Sequence, residues 1–275
     1  MMDANALLPE TLEVEDHDAG DPKFVTALAR GLSILQSFRP NEIYLSNQVF
    51  ALRTGLPKAT VTRITYTLCK LGYLVQDAGG GEYRLGPGVL TLGFGMVMRM
   101  DLRDRVALEL ADICRQDNPN VAAALGERHG NSVVYLSTHR SPNSVSMTFH
   151  LGGQVPLFHT SIGRAILRGL PKERQEQLLE EVSSRVDPQE RVRLATSLTR
   201  AREDFDALGF CTSFGEWRKE INGIAAPFTA ESGRVFGINV GGFAFLNTRE
   251  ALMEEYAPRL LMAVRNLGVG RREHD

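Results

Sequence analysis

The stretch 46–85 constrains the fold more than any other part of the chain. It reads SNQVFALRTGLPKATVTRITYTLCKLGYLVQDAGGGEYRL. Ser46 is a good N-cap, so a short helix is predicted from there to about Arg53, with Val49, Phe50 and Leu52 on its buried side. Gly55 ends that helix, and Leu56-Pro57 opens the next. Val61, Ile64, Leu68 and Leu71 then recur at intervals of three, four and three, one apolar stripe of a helix. Gly72 stops it. The runs 73–76 and 82–85 flank Asp-Ala-Gly-Gly-Gly and predict a β-hairpin. Upstream, apolar residues at 24, 25, 28, 32, 35 and 38 mark a further helix. The predicted order is helix, helix, turn, helix, hairpin.

The helix after Gly55 has an unusual outer side. At 100° per residue it is centred on Ala59, Arg63, Tyr66 and Lys70, flanked by Thr60, Thr62 and Thr67. A helix-turn-helix needs one side to dock on its partner helix. The other side must present short polar groups and long cations to base edges and phosphates. Arg63 has the fork for a guanine. Thr60, Thr62 and Thr65 suit phosphates or a thymine methyl. Lys58 and Lys70 suit phosphate, which the helix N-terminus also attracts. The candidate DNA-facing set is Arg30, Lys58, Ala59, Thr60, Thr62, Arg63, Tyr66, Lys70 and Arg84. An ordinary amphipathic helix with a solvated face carries the same stripe. Turn, hairpin and local charge together favour the duplex.

That local charge decides how composition is read. Residues 1–22 hold seven acids and no Lys or Arg, and 23–105 hold eleven Lys or Arg against five acids. Residues 106–275 hold 20 bases and 21 acids. A basic segment thus sits in a chain of net charge -2. The first 22 residues have no period and are expected to form a disordered acidic tail. Cys69, Cys114 and Cys211 form no CxxC pair, which argues for a reducing compartment. No apolar run reaches membrane length, and the acidic N-terminus is not expected to act as a signal peptide. A cytoplasmic protein without a membrane partner is expected.

Beyond the hairpin, 88–104 is predicted to be a connecting helix, followed by another helix over 105–116. Strands are expected at 121–127, 132–138, 145–150, 210–213, 223–229 and 235–241. A loop, LGGQVPLFHTS, leads into a helix near 162–168. Asp187-Pro188-Gln189-Glu190 is a strong helix start, and Gly209 the matching stop. A last helix starts at the Asn247-Thr-Arg-Glu250 capping box, with a kink expected at Pro258.

The segments VTALARGLSIL, LRTGLPKATVTRITYTLCKLGYL and YRLGPGVLTLG resemble the winged-helix half of IclR-type bacterial transcriptional regulators. VPLFHTSIGRAIL and LGFCTSFGEWRKEINGIAAPFTAESGRVFGINV resemble the second half. The resemblance covers about residues 23–268. It departs at Ser161-Ile162-Gly163-Arg164, where the family usually has Ala and Lys, and in SNQVFALRTG. It implies an α+β chain: a winged helix-turn-helix domain (23–87), a linker helix (88–104) and a GAF-like α/β effector-binding domain (105–268), with a flexible tail at 269–275. It further implies homodimers or homotetramers on double-stranded operator DNA, and a small organic acid effector that shifts the DNA-binding halves through the linker.

Antiparallel strands covered by helices leave room for a pocket on one sheet face, and glycines at strand ends (Gly152-Gly153, Gly223, Gly241-Gly242) permit close approach. Carried over from the family, the effector set is Leu157, Phe158, His159, Ser161, Ser213, Gly223, Asn239 and Gly241. Thr160 and Ser161 open a helix whose N–H groups suit a carboxylate. Phe158, Phe210, Phe214 and Trp217 suggest an aromatic acid. The sequence holds no GxSxG, HExxH, Walker or GxGxxG motif, so no catalytic residue and no cofactor is expected. His129, His139, His150 and His159 are spaced by ten, eleven and nine, no compact ligand motif, so no metal is expected either. A small-molecule enzyme, or an effector-independent assembly domain, carrying a DNA-binding module remains the alternative.

Overall fold

The computed structural model describes residues 22–39, 42–98, 103–114, 120–140 and 149–268. The chain divides into two compact units at Met100/Asp101. Among the described residues no helix is long and apolar enough to cross a membrane.

In the first unit α1 (Thr26–Gln36), α2 (Asn47–Thr54) and α3 (Lys58–Lys70) pack on a small sheet of β1 (Leu45–Ser46), β2 (Leu74–Gln76) and β3 (Glu82–Leu85). The strand order is β1-β3-β2, antiparallel, with Leu74 opposite Leu85. Ile34, Leu45, Phe50, Val61, Leu68, Leu74 and Tyr83 form the core. Each such buried side chain stabilises the fold by about 1.5–3 kcal/mol. Ser46 caps α2 by accepting from Val49 N. Gly55 adopts φ +69, the left-handed turn that only glycine takes without strain. Two predicted core positions are exposed instead. Leu52 points to solvent because Phe50 already occupies the buried face of α2, and Leu71 lies past the last turn of α3. The stripe expected on α1 is not its buried face: Val25, Leu28 and Leu32 are exposed, Leu35 and Phe38 are only partly buried against the core, and the buried apolar residue is Ile34, which lies outside that stripe. α4 (Pro87–Met98) closes this unit; residues 99–102, where the predicted linker helix continues, lie outside the described residues.

The second unit starts with α5 (Arg103–Ile113) and then builds one antiparallel six-stranded sheet. Its strands are β4 (Ala122–His129), β5 (Ser132–Arg140), β6 (Gln154–Pro156), β7 (Cys211–Phe214), β8 (Ile221–Thr229) and β9 (Val235–Phe243), in the order β6-β5-β4-β9-β8-β7. One face carries α6 (Ser161–Gly169), with α7 (Lys172–Ser183) and α8 (Pro188–Leu208) outside it; α5 and α10 (Ala257–Gly268) cover the other. α8 has the predicted bounds: Asp187 accepts from Gln189 N and Glu190 N, and Gly209 ends it at φ +82. The sequence reading does not include α7 and β6, since only Leu178, Leu179 and Val182 of α7 are apolar and β6 is three residues long inside a Gly-rich loop. Most of the strand predicted at 145–150 lies outside the described residues; Phe149 and His150 are not in a strand.

The last helix is capped by Thr248, one residue later than predicted, where it accepts from Ala251 N. Asn247 is instead buried, donating to Phe243 O and accepting from Asn222 Nδ2. α9 (Arg249–Ala251) passes through a π turn at Leu252–Tyr256 into α10. Pro258 has no N–H to give residue 254, and the wider turn ahead of it keeps the helix continuous.

Candidate DNA-binding face and ligand cleft

The outer face of α3 is free. Lys58, Ala59, Thr62, Arg63, Tyr66, Thr67 and Lys70 are exposed and Thr60 is half-buried, while Val61 and Leu68 pack inward. Lys58, Arg63 and Lys70 make no ion pair among the described residues. The Lys70 ammonium lies 5.4 Å from the Tyr66 ring centre, over its face. Pro57 offers no side-chain cap, so the first-turn N–H groups of α3 stay available to an anion. Arg84 is exposed on the hairpin, and Arg30 is exposed on α1, a separate element.

The threonines differ from one another. Thr65 is fully buried and not a surface contact: its hydroxyl sits among Val61 O (3.0 Å), Thr62 O (3.2 Å) and Asn47 Oδ1 (3.3 Å), tying α3 to α2. Thr62 and Thr67 donate their hydroxyls back to Lys58 O (3.0 Å) and Arg63 O (2.9 Å). With the hydroxyl hydrogens engaged, these two present methyl groups outward, which suits a thymine methyl better than a phosphate.

The angle between the helices has a brace that the sequence reading missed. Arg53 Nη2 donates to Glu42 Oε1 at 2.7 Å, and its Nη1 donates to Glu42 Oε2 and to Ser37 O at 2.7 Å. The fork joins the end of α2 to the end of α1 and to the loop beyond. The hydrogen bond from Arg53 holds the Glu42 carboxyl below the usual carboxylate range, against the upward push of burial. Arg53 at the end of a helix reads as a surface cation; only the fold brings Glu42 opposite it.

In the second unit Tyr135, Phe149, Thr160, Ser161, Ile162, Ser213, Trp217, Ile221, Asn222, Gly223, Asn239 and Gly241 surround one cleft. Of the expected effector residues, Ser161, Ser213, Gly223, Asn239 and Gly241 are brought together there. Leu157 and Phe158 are not; both are buried in the core beneath α6. His159 turns away toward α8, its Nε2 lying 2.7 Å from Glu190 Oε1. Phe210 is core, and Phe214 lies under the Arg249 guanidinium. The Gly241 position serves the sheet itself: a Cβ there would meet Asn222 O at 2.4 Å, so glycine is required by the neighbouring strand rather than by a ligand.

Thr160 caps α6 by accepting from Gly163 N at 3.2 Å. The N–H groups of Ser161 and Ile162 remain for another partner at the cleft. Asn239 is 5% exposed, and its Oδ1 has no hydrogen-bond partner among the described residues. Tyr135 faces Asn239 and packs edge-on against Phe149 at 5.0 Å. Burial drives the Tyr135 phenol well above its ordinary pKa, so it stays a neutral hydrogen-bonding group. The cavity volume is about 30 Å³. That holds one or two waters. The enclosed space is smaller than a benzoate, and the cleft is open toward solvent on one side.

Comparison with known proteins settles the class. Residues 27–78 match the IclR helix-turn-helix domain, and residues 94–269 match the bacterial transcriptional regulator IclR C-terminal domain. The chain belongs to the IclR family. The Pca regulon regulatory protein of Pseudomonas putida is 30% identical over 250 residues, 90% of this chain and 84% of that protein. An IclR family transcriptional regulator from Brucella abortus has a TM-score of 0.81 at 37% identity, covering 92% of this chain and 95% of that one. An IclR homologue from Microbacterium hydrocarbonoxydans, solved with 4-hydroxybenzoate, shares the fold at a TM-score of 0.68 and 21% identity, over 90% and 99% of the two chains. This IclR-family chain is therefore a DNA-binding transcriptional regulator and not an enzyme. Burial pushes the Cys114 and Cys211 thiols up to about 12.

Proposed function

We propose that this regulator senses a small aromatic carboxylic acid in the cleft of its second unit and controls catabolic genes through α3 and the wing. The carrying observation is Asn239: a buried amide oxygen without a partner, in a cleft that also holds the start of α6. An unpaired buried acceptor costs roughly 1–3 kcal/mol. A ligand hydroxyl supplies the missing donor. Its carboxylate meets the Ser161 and Ile162 N–H groups, while Tyr135, Phe149 and Trp217 supply walls for a ring. That a protein of this fold holds 4-hydroxybenzoate supports the choice of ligand class.

The working assembly is a homodimer or homotetramer acting in the cytoplasm. Its support is the exposed apolar surface of the first unit: Leu90, Leu92, Phe94 and Met96 on α4 are 47–72% exposed, and so are Leu28 and Leu32 on α1 and Val25 just before it. Such a surface is costly in water and is covered by a second copy. Two recognition helices then meet an operator, and the effector favours one spacing of the DNA-binding halves over another, acting through the helix that begins at Pro87.

Calorimetric titration of the full chain with 4-hydroxybenzoate, benzoate and short aliphatic acids tests the ligand reading. Heat with the aromatic acids that is lost in Asn239→Leu supports it. Absence of heat from every acid refutes it.

A further inference from the structure

We infer that Arg164 is a positioning residue for the ligand cleft, acting through Glu216 to hold Trp217 in place as a wall. The inference rests on the ligand reading for its purpose, but its first readout needs no ligand.

Arg164 lies three residues beyond Ser161 on α6 and is 3% exposed. Its Nε donates to Ser197 Oγ at 2.8 Å, and its Nη1 to Thr212 O at 2.7 Å. Nη1 and Nη2 then fork onto Glu216, to Oε1 at 3.2 Å and Oε2 at 2.8 Å. Arg200, from α8, adds a second donor to Glu216 Oε2 at 2.6 Å. One guanidinium thus ties α6 to α8, β7 and the tip of the β7–β8 hairpin. The tip is closed on itself by two backbone bonds, Gly215 N to Ile221 O and Ile221 N to Arg218 O, both 2.9 Å. The Glu216 carboxylate links it to α6 and α8.

The residue after Glu216 is Trp217, which lines the cleft. The arginine that starts from the proposed carboxylate-binding helix therefore fixes the backbone next to this ring, whose face the Arg218 guanidinium covers at 4.9 Å from its centre. A lysine offers three donors on a point charge and lacks the planar fork that spans Ser197, Thr212 and Glu216 together. Because the cavity is smaller than an aromatic acid, the hold on this wall sets how readily such a ligand exchanges.

Trp217 is the one tryptophan of the chain, so its fluorescence reports this position alone. The experiment is acrylamide quenching of the full-length protein and of R164K, R164M, E216Q and the R164M/E216Q pair. Circular-dichroism melts establish that each is folded. The quenching constant is expected to rise on the order of twofold in R164M and E216Q, less in R164K, and no further in the double variant, because the two side chains act as one unit. A merely structural role would lower the melting temperature and leave quenching in the native baseline unchanged; that result overturns the inference. Where R164M does not fold, E216Q carries the same test. Dissociation of 4-hydroxybenzoate by stopped flow separates the two readings. If wild type binds no aromatic acid yet quenching rises, the ligand reading fails and the positioning role stands. If wild type binds and both quenching and dissociation match in the variants, the positioning role fails.

Discussion

The exposed cations of α3 allow a quantitative test. Lys58 sits in the first turn of α3, exposed and without an ion pair among the described residues, next to an uncapped helix N-terminus. A group so placed has no protein partner to lose and is available to one phosphate. Each phosphate neutralised on B-DNA contributes about -0.9 to the slope of log K against log[salt]. For a dimer on two half-sites, Lys58→Ala removes two such contacts, so the slope becomes shallower by about 1.8. Between 50 and 200 mM salt, a fourfold change, wild type should lose roughly twelvefold more affinity than the variant. Fluorescence anisotropy on a bound genomic fragment across that salt range measures it. The loss should be similar for specific and unrelated fragments, since phosphates carry no sequence information. A slope within about 0.3 of wild type would remove Lys58 from the backbone contacts and put the placement of α3 in doubt.

Arg63 should behave in the opposite way. Arg63→Ala is expected to cost about 1–3 kcal/mol of discrimination between specific and mutated sites in competition binding, with the salt slope changed less than by Lys58→Ala. The Arg53 fork predicts stability: Arg53→Ala strands the Glu42 carboxylate and should cost about 2–4 kcal/mol, read as a lower melting temperature. The same pair predicts a pH dependence. Glu42 titrates lower in the folded chain than unfolded, so its contribution is present above the ordinary carboxylate pKa and fades as pH falls through the folded value. The melting difference between wild type and Glu42→Gln should therefore shrink on acidification from neutral pH; a constant difference refutes the pairing. Phe94→Glu, on the exposed α4 surface, should shift sedimentation toward the monomer, and an unchanged oligomer would place the subunit contact elsewhere.

Local signals were legible where they decide local geometry. The bounds of α8 follow from Asp187-Pro188 and Gly209 because cap, Pro at N1 and left-handed stop all lie within the segment they control. The free face of α3 follows from the spacing of Val61 and Leu68. Thr65 was misjudged because a threonine next to a polar face looks like part of it; only the packing of α2 reveals Asn47 waiting for its hydroxyl. The cleft was half legible. Ser161, Ser213, Gly223, Asn239 and Gly241 came from family positions, whereas Tyr135 and Asn222 reach the cleft through sheet register that no single segment encodes, and Phe149 by packing on Tyr135. Leu157 and Phe158 were misplaced because a loop beside a pocket also supplies core, and α6 needs a floor. His159 was misplaced because its partner Glu190 lies on a distant helix.

The central claim is that the Lys58–Lys70 face enters the major groove. Dimethyl sulfate interference on a selected genomic fragment tests it most directly, because the reagent marks guanine N7 on the major-groove edge and adenine N3 in the minor groove. Methylated guanines should block binding in two clusters about 10–10.5 base pairs apart, or a multiple of that, and the cluster should weaken for the base that Arg63 reads in Arg63→Ala. Interference confined to adenine N3, or a pattern unchanged by Arg63→Ala, would contradict the account.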